Sequence, residues 1–308
     1  MRIGIPKEMN EKETRVAIVP VSIPKLMKLG FEVIVEKGAG KLSGYSDSEY
    51  EAKGAKVDSF EKVIECELIT CIDVPNFEQM KKGQMLACVA DPFRNLEQTR
   101  KIVDAGITLL SLEVIPRRLS KGQSMDVNSS QDNLSGYKAA LMGSQRISKM
   151  VPMMMTSAGT VRPAKFVIQG AAVAGLQAIA TSKRLGGAIQ AIDVRLAAKQ
   201  DTESLGAKFI DVPGWKDAES SSGHASLFTD TDLQNAFDNA LMDAVRDADV
   251  VITTARLFGA NAPKLFFGKE NNEKMTTEMK EGSVIVDMNT DTGCLLYTSP
   301  SPRDPWKS

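Results

Sequence analysis

The residues best suited to do chemistry lie in one short stretch, QGAAVAGLQ, residues 169–177. Gly170 and Gly175 occupy the first and third glycine positions of a G-x-G-x-x-G turn, and Ala172 stands at the second. KFVIQG before it reads as a strand, and AVAGLQAIATSKRLG after it as a helix. Asp193 follows the next apolar run, 23 residues after Gly170, against a spacing of about 20 in dinucleotide-binding units. The first glycine suits a tight turn, and the third suits close helix–strand packing. Free N–H groups of Val173, Ala174 and Gly175 at the start of the helix suit a pyrophosphate. Asp193 can accept two hydrogen bonds from a ribose diol and would repel a 2′-phosphate. Arg195 is expected to pair with Asp193 or solvent. The methyl group of Ala172 is expected to weaken pyrophosphate approach without abolishing it.

These residues need elements to hold them. In residues 1–115, short apolar runs (RIGIP, FEVIVE, AKV, ELITCIDV, QMLACVA, ITLLSLE) alternate with helix-like segments. Such alternation predicts a parallel sheet covered on both faces. Residues 117–135 are polar and read as a long loop, with a helix beginning near SGYKAALMG. KFVIQG, AIQAID, SLGAKFI, DVVITT and GSVIVDM supply five strands of a second α/β unit. Thr253, Thr254 and Ala255 end the fourth, at the edge where ligands of such sheets sit. The expected architecture is two doubly wound, Rossmann-like parallel sheets with a cleft between them. Its boundaries are expected at 1–135 and 136–293, with 294–308 as a tail.

Composition excludes several classes. The 308 residues carry a formal net charge of −1, so no basic field points to nucleic acid. No apolar run reaches the roughly 18 residues needed to span a bilayer, and MRIGIPKE has no signal core, which points to the cytoplasm. Cys66, Cys71, Cys88 and Cys294 show neither a C-x-x-C pair nor zinc spacing, so no metal is expected.

The chain resembles the NAD(H)-binding domain of proton-translocating nicotinamide nucleotide transhydrogenase, alpha-subunit type. RIGIPKEMNEKETRVAIVP and FEVIVEKGAG are similar both to that family and to its relative, alanine dehydrogenase. QSMDVNSSQDNLSGYKA, PMMMTSAGTVRPAK and AGLQAIATSKRLG resemble transhydrogenase in particular. The resemblance implies a loop of arginine, glutamine and aspartate that aligns a nicotinamide. Gln123, Asp126 and Ser129 match it. Arg118 fits by its spacing from Gln123 and Arg117 by adjacency to Pro116. Holding two C4 atoms about 3–3.5 Å apart is a positioning task that needs no general acid or base. His224, the chain's one histidine, lies where such proteins usually carry a tyrosine over the nucleotide; it reads as a nucleotide contact or as a solvated loop residue.

The resemblance further implies NADP(H) on a partner domain, a membrane domain or beta subunit, a homodimer, and a peripheral place on the cytoplasmic face of the inner membrane. An alanine-dehydrogenase-like activity would call for a lysine and a histidine. Arg15 is present, but Asp73 and Val89 occupy the corresponding places. A non-catalytic NAD-sensing module is the other reading. After GSVIVDMNTDTG the resemblance stops. CLLYTSPSPRDPWKS, with Pro300, Pro302 and Pro305, is expected to be a disordered, non-native tail that leaves the second sheet one strand short.

Overall fold

The computed structural model describes residues 1–115, 120–215, 230–256, 261–262 and 269–290. The chain separates into two compact units, Met1–Val127 and Asn128–Ser308.

In the first unit, strands β1 (Arg2–Ile5), β2 (Glu32–Glu36), β3 (Lys56–Asp58), β4 (Leu68–Thr70), β5 (Met85–Cys88) and β6 (Thr108–Ser111) form one parallel sheet in the order β3-β2-β1-β4-β5-β6. Helices α1 (Ile23–Lys28), α2 (Asp47–Ala52), α3 (Phe60–Ile64) and α4 (Leu96–Asp104) connect the strands. Side chains of β2 alternate between faces: Val33 and Val35 pack in a cluster with Ile23 and Tyr50, and Ile34 packs opposite, with Val63 and Ile69. That two-sided burial is why these strands read as continuous apolar runs. The Tyr50 hydroxyl donates to the carbonyl of Ile18, and burial pushes its pKa up to about 12.

Cys66, Cys71 and Cys88 are buried in the first unit's core. Burial pushes the Cys66 thiol up to about 11. The hydrogen bond with Cys88 and then burial raise that of Cys71.

The described part of the segment read as a long polar loop, residues 120–135, is largely helical. Short helix α5 (Ser120–Gln123) precedes α6 (Val127–Arg146), which begins eight residues before SGYKAALMG does. Ser, Asn and Asp are weak helix formers in isolation. Here tertiary packing decides: Gly136, Ala139, Ala140 and Gly143 form a buried stripe at helical spacing. A Cβ on Gly143 would meet Val250 Cγ1 at 2.6 Å, so the small residues let the helix lie close on the sheet.

The second unit holds strands β7 (Met154–Thr156), β8 (Gly159–Val161), β9 (Lys165–Gln169), β10 (Ala188–Ile192), β11 (Lys208–Phe209), β12 (Val250–Thr253) and β13 (Val284–Asp287). Helices α7 (Val173–Arg184), α8 (Ala197–Ser204), α9 (Thr231–Arg246) and α10 (Lys269–Glu278) complete it. Its parallel sheet runs β11-β10-β9-β12-β13 among the described residues. Phe166 and Ile168 enter one core and Val167 the other. The antiparallel pair β7–β8 was not expected from sequence; all six of its residues are exposed.

Opposite the strands' carboxyl ends, Asp249 accepts from the Lys165 N–H at 2.7 Å and from Lys149 Nζ at 3.0 Å, with Lys280 at 3.9 Å. Burial raises the Asp249 pKa, but these donors and charges outweigh it and hold the carboxyl below its ordinary value.

Candidate nucleotide site

The strand order reverses between β9 and β12, and ligands of open α/β sheets collect at the carboxyl edge of such a switch point. There the chain leaves β9 through Gly170, whose φ of 90° lies in the left-handed region. A Cβ at Gly170 would also meet Thr254 Oγ1 at 2.7 Å and the Ala255 nitrogen at 3.0 Å. At Gly175 it would come within 1.8 Å of the Gly170 carbonyl oxygen, so α7 packs on the turn with no room for a side chain.

Ala172 is the N-cap residue of α7 and makes no side-chain capping bond. Its φ of −87° and ψ of −165° are ordinary for any residue. Backbone conformation therefore does not demand the missing glycine; only ligand approach could. Ala172 is exposed, Val173 half-buried, and Ala174 buried.

Asp193 follows β10 directly and is buried. Its Oδ2 accepts from the Ala171 N–H at 2.7 Å and from Arg195 Nη2 at 2.9 Å. Its Oδ1 accepts from the Arg195 N–H at 2.9 Å and from Arg195 Nε at 3.0 Å. The acid thus ties the second strand's end to the glycine turn.

The end of β12 closes the other side. Thr254 Oγ1 donates to the carbonyls of Gln169 and Gly170 at 3.2 and 2.8 Å. Thr253 Oγ1 donates to Asp287 Oδ1 at 3.1 Å. Ala255 is half-buried.

Sequence reasoning missed several neighbours. Asn289, 2% exposed, donates through Nδ2 to the Ala255 carbonyl at 3.0 Å, and its N–H donates to Asp287 Oδ1. Asp132 on α6 pairs with Arg256 at 3.6 Å, and Asn133 donates to Gln177 at 3.3 Å. Gly136 sits against Ala174: a Cβ there would lie 2.1 Å from the Ala174 carbonyl oxygen. The polar residues Asp287 and Asn289 at the end of the apolar run GSVIVDM were themselves the one available signal.

Gly170, Ala172, Val173, Ala174, Gly175, Asp193, Arg195, Thr253, Thr254 and Ala255 thus gather on one sheet edge. Ser129 lies half-buried in the first turn of α6. Gln123 ends α5, exposed, and Asp126 is half-buried directly before α6; both fall in the first unit. Arg117, Arg118, His224 and the tail 294–308 lie outside the described residues.

The first unit has its own polar rim. Glu8 accepts from the Ile72 and Asp73 N–H groups at 2.7 and 3.1 Å, and burial raises its pKa against those bonds. Arg15 donates through Nε and Nη2 to the two oxygens of Glu13 at 2.8 and 2.6 Å. That pairing holds Glu13 below its ordinary range. Asp73 adds a carboxylate here and Val89 an apolar side chain, where an alanine-dehydrogenase-like activity would call for a lysine and a histidine.

Two doubly wound units, one with a glycine turn and a strand-end acid, define a dinucleotide-binding protein of the Rossmann class. Comparison makes this specific. Residues 4–135 match the alanine dehydrogenase/PNT N-terminal domain and residues 139–304 the C-terminal domain; the second match continues into the segment read as a tail. The chain belongs to the alanine dehydrogenase/PNT family. It is 40% identical over 305 residues to the first part of the NAD(P) transhydrogenase alpha subunit of Rhodospirillum rubrum, covering 95% of this chain and 78% of that one. The solved transhydrogenase from Sinorhizobium meliloti is similar with a TM-score of 0.83 and 37% identity, over 97% of this chain and 81% of that one. Alanine dehydrogenase of Methanococcus maripaludis is more distant, at 29% identity over 97% of this chain and 74% of that one.

Proposed function

We propose that this chain is the NAD(H)-binding component of a proton-translocating NAD(P) transhydrogenase and exchanges hydride with NADP(H) on a partner domain. The observation that carries the reading is Asp193. It is buried at the end of β10 and hydrogen-bonded to the glycine turn, where one carboxylate can hold a ribose diol beside a pyrophosphate. The residues present fit the group: no side chain caps α7, which leaves its first N–H groups to a phosphate, and Gly170 and Gly175 give the close-packed turn that places the helix start there.

Bound there, a nicotinamide supplies the hydride. Asp193 reads the ribose and Gly170 and Gly175 shape the turn. Val173, Ala174 and the helix start offer N–H groups to phosphate. Thr253, Thr254 and Ala255 line the nicotinamide side, and Gln123, Asp126, Ser129 and Arg118 align the ring. The rate then depends on alignment rather than on proton transfer. His224 is proposed as a contact over the nucleotide.

The same reading makes the chain a homodimer docked on the membrane-embedded partner at the cytoplasmic face. The exposed β7–β8 pair supports a partner: two strands alone are marginally stable and present open edges. Among the described residues no helix is long and apolar enough to cross a membrane.

The test is titration with NADH and NADPH, then a transhydrogenation assay with a supplied NADP(H)-binding component. NADH should bind the more tightly, and hydride should transfer only with the partner present. NADH formation from L-alanine alone, or tight NADH binding with no transfer, would refute the reading.

A further inference from the structure

The Asp193 carboxylate is saturated. A carboxylate offers about four in-plane acceptor directions, and four N–H donors reach this one. Two are backbone groups, those of Ala171 and Arg195, fixed by the turn and the strand end. The other two, Arg195 Nε and Nη2, belong to a side chain and address one oxygen each. Such a fork is the bidentate arrangement guanidinium makes with carboxylates. A vicinal diol presents the same pattern: two parallel donors, one to each oxygen. Ribose and guanidinium therefore compete for the same two acceptor directions. The exposures differ in a way that decides which partner can leave: the Arg195 side chain is 18% exposed and that of Asp193 5%.

We propose that Arg195 is a displaceable occupant of the ribose-reading carboxylate, and that once displaced it sets how strongly the pocket rejects a 2′-phosphate. This rests on the nucleotide reading above. The two backbone donors keep the carboxylate oriented while the fork exchanges for the diol. The guanidinium, tethered two residues away, stays beside the 2′ position. There it offsets part of the repulsion between Asp193 and a phosphate. Arg195 thus acts in opposite senses on two ligands: it competes with a free diol and tolerates a phosphorylated one.

The test uses the full chain with ADP-ribose and 2′-phospho-ADP-ribose as probes, by calorimetry at pH 8, comparing the parent with Arg195→Gln and Arg195→Lys. Arg195→Gln should tighten ADP-ribose about threefold or more and weaken 2′-phospho-ADP-ribose about tenfold. Arg195→Lys keeps the charge but loses the fork. It should tighten ADP-ribose while leaving the phosphorylated probe near its parent affinity. Misfolding would weaken both probes alike, so the ratio of affinities is the readout, with thermal melting alongside. Parallel loss of both probes, or an unchanged ratio, overturns the role of Arg195. A parent that binds neither probe overturns the nucleotide reading as well.

Discussion

Replacing Gly136 with alanine tests how the glycine turn is held. In an exposed helix interior, alanine for glycine is favourable by about 0.5–1 kcal/mol. At Gly136 the sign should reverse. The added Cβ would stand 2.1 Å from the Ala174 carbonyl oxygen, about 0.9 Å short of the 3.0 Å below which such contacts are essentially never found. The obstruction is backbone, with its α-carbon 3.1 Å from the same point, so no side chain can rotate away. Either α6 or the first turn of α7 must shift. Overpacking of this kind costs about 1–3 kcal/mol, or a fall of about 2–12 °C in Tm for a unit of this size. Because Ala174 belongs to the turn proposed to hold the phosphates, NADH binding should weaken too. Scanning calorimetry and NADH titration of Gly136→Ala, with exposed Ser135→Ala as control, would measure both. An unchanged or higher Tm in Gly136→Ala would refute the close-approach argument.

Asp249→Asn should cost about 1–3 kcal/mol, since a half-buried carboxylate loses charged hydrogen bonds to Lys149 and the Lys165 N–H. The folded-state pKa of Asp249 is lowered, so its contribution is full above the unfolded value of about 3.9 and disappears as pH falls through the folded one. The variant's stability should therefore converge on the parent's in strong acid; a constant difference at every pH would contradict this. Ala172→Gly should tighten NADH, because its backbone angles already suit any residue and only the methyl group obstructs; calorimetry showing weaker binding would mean the turn is shaped around alanine. Gln123→Asn and Asp126→Asn should slow hydride transfer far more than they weaken NADH binding, and equal losses in both would make them ordinary binding residues. Iodoacetamide at pH 8 should leave Cys66, Cys71 and Cys88 unmodified in the native protein and label all three in denaturant, as peptide mapping would show; native labelling would contradict their burial.

The two sheets were legible because buried parallel strands announce themselves as apolar runs. FEVIVE and KFVIQG needed no context. The glycine turn was legible from Gly170, Gly175 and the distance to Asp193. The start of α6 was not. Asn128, Ser129, Ser130 and Asp132 have weak helix preference, and what commits them is a stripe of glycine and alanine whose partner surface is far off in sequence. The β7–β8 pair was hidden for a different reason. Met154 and Met155 alternate with nothing, and neither strand has a buried face to create a pattern. The saturation of Asp193 was half visible: a pairing with Arg195 could be anticipated, but the Ala171 N–H could not, since it depends on how the turn folds back.

The grip of Asp249 on Lys149 and Lys165 sits at the start of β9, and the glycine turn begins at its end. Five residues of strand separate them, roughly 16 Å at about 3.3 Å each. Effects at sites so far apart combine almost independently. The sheet therefore has a holding rim and a working rim, and drift at one is hardly felt at the other. The cost of each variant in a library over Ala172, Val173, Arg195 and Ala255 should therefore simply add to whatever is done at the far end, and a strengthened holding rim could be put in beforehand as a reserve against costly variants.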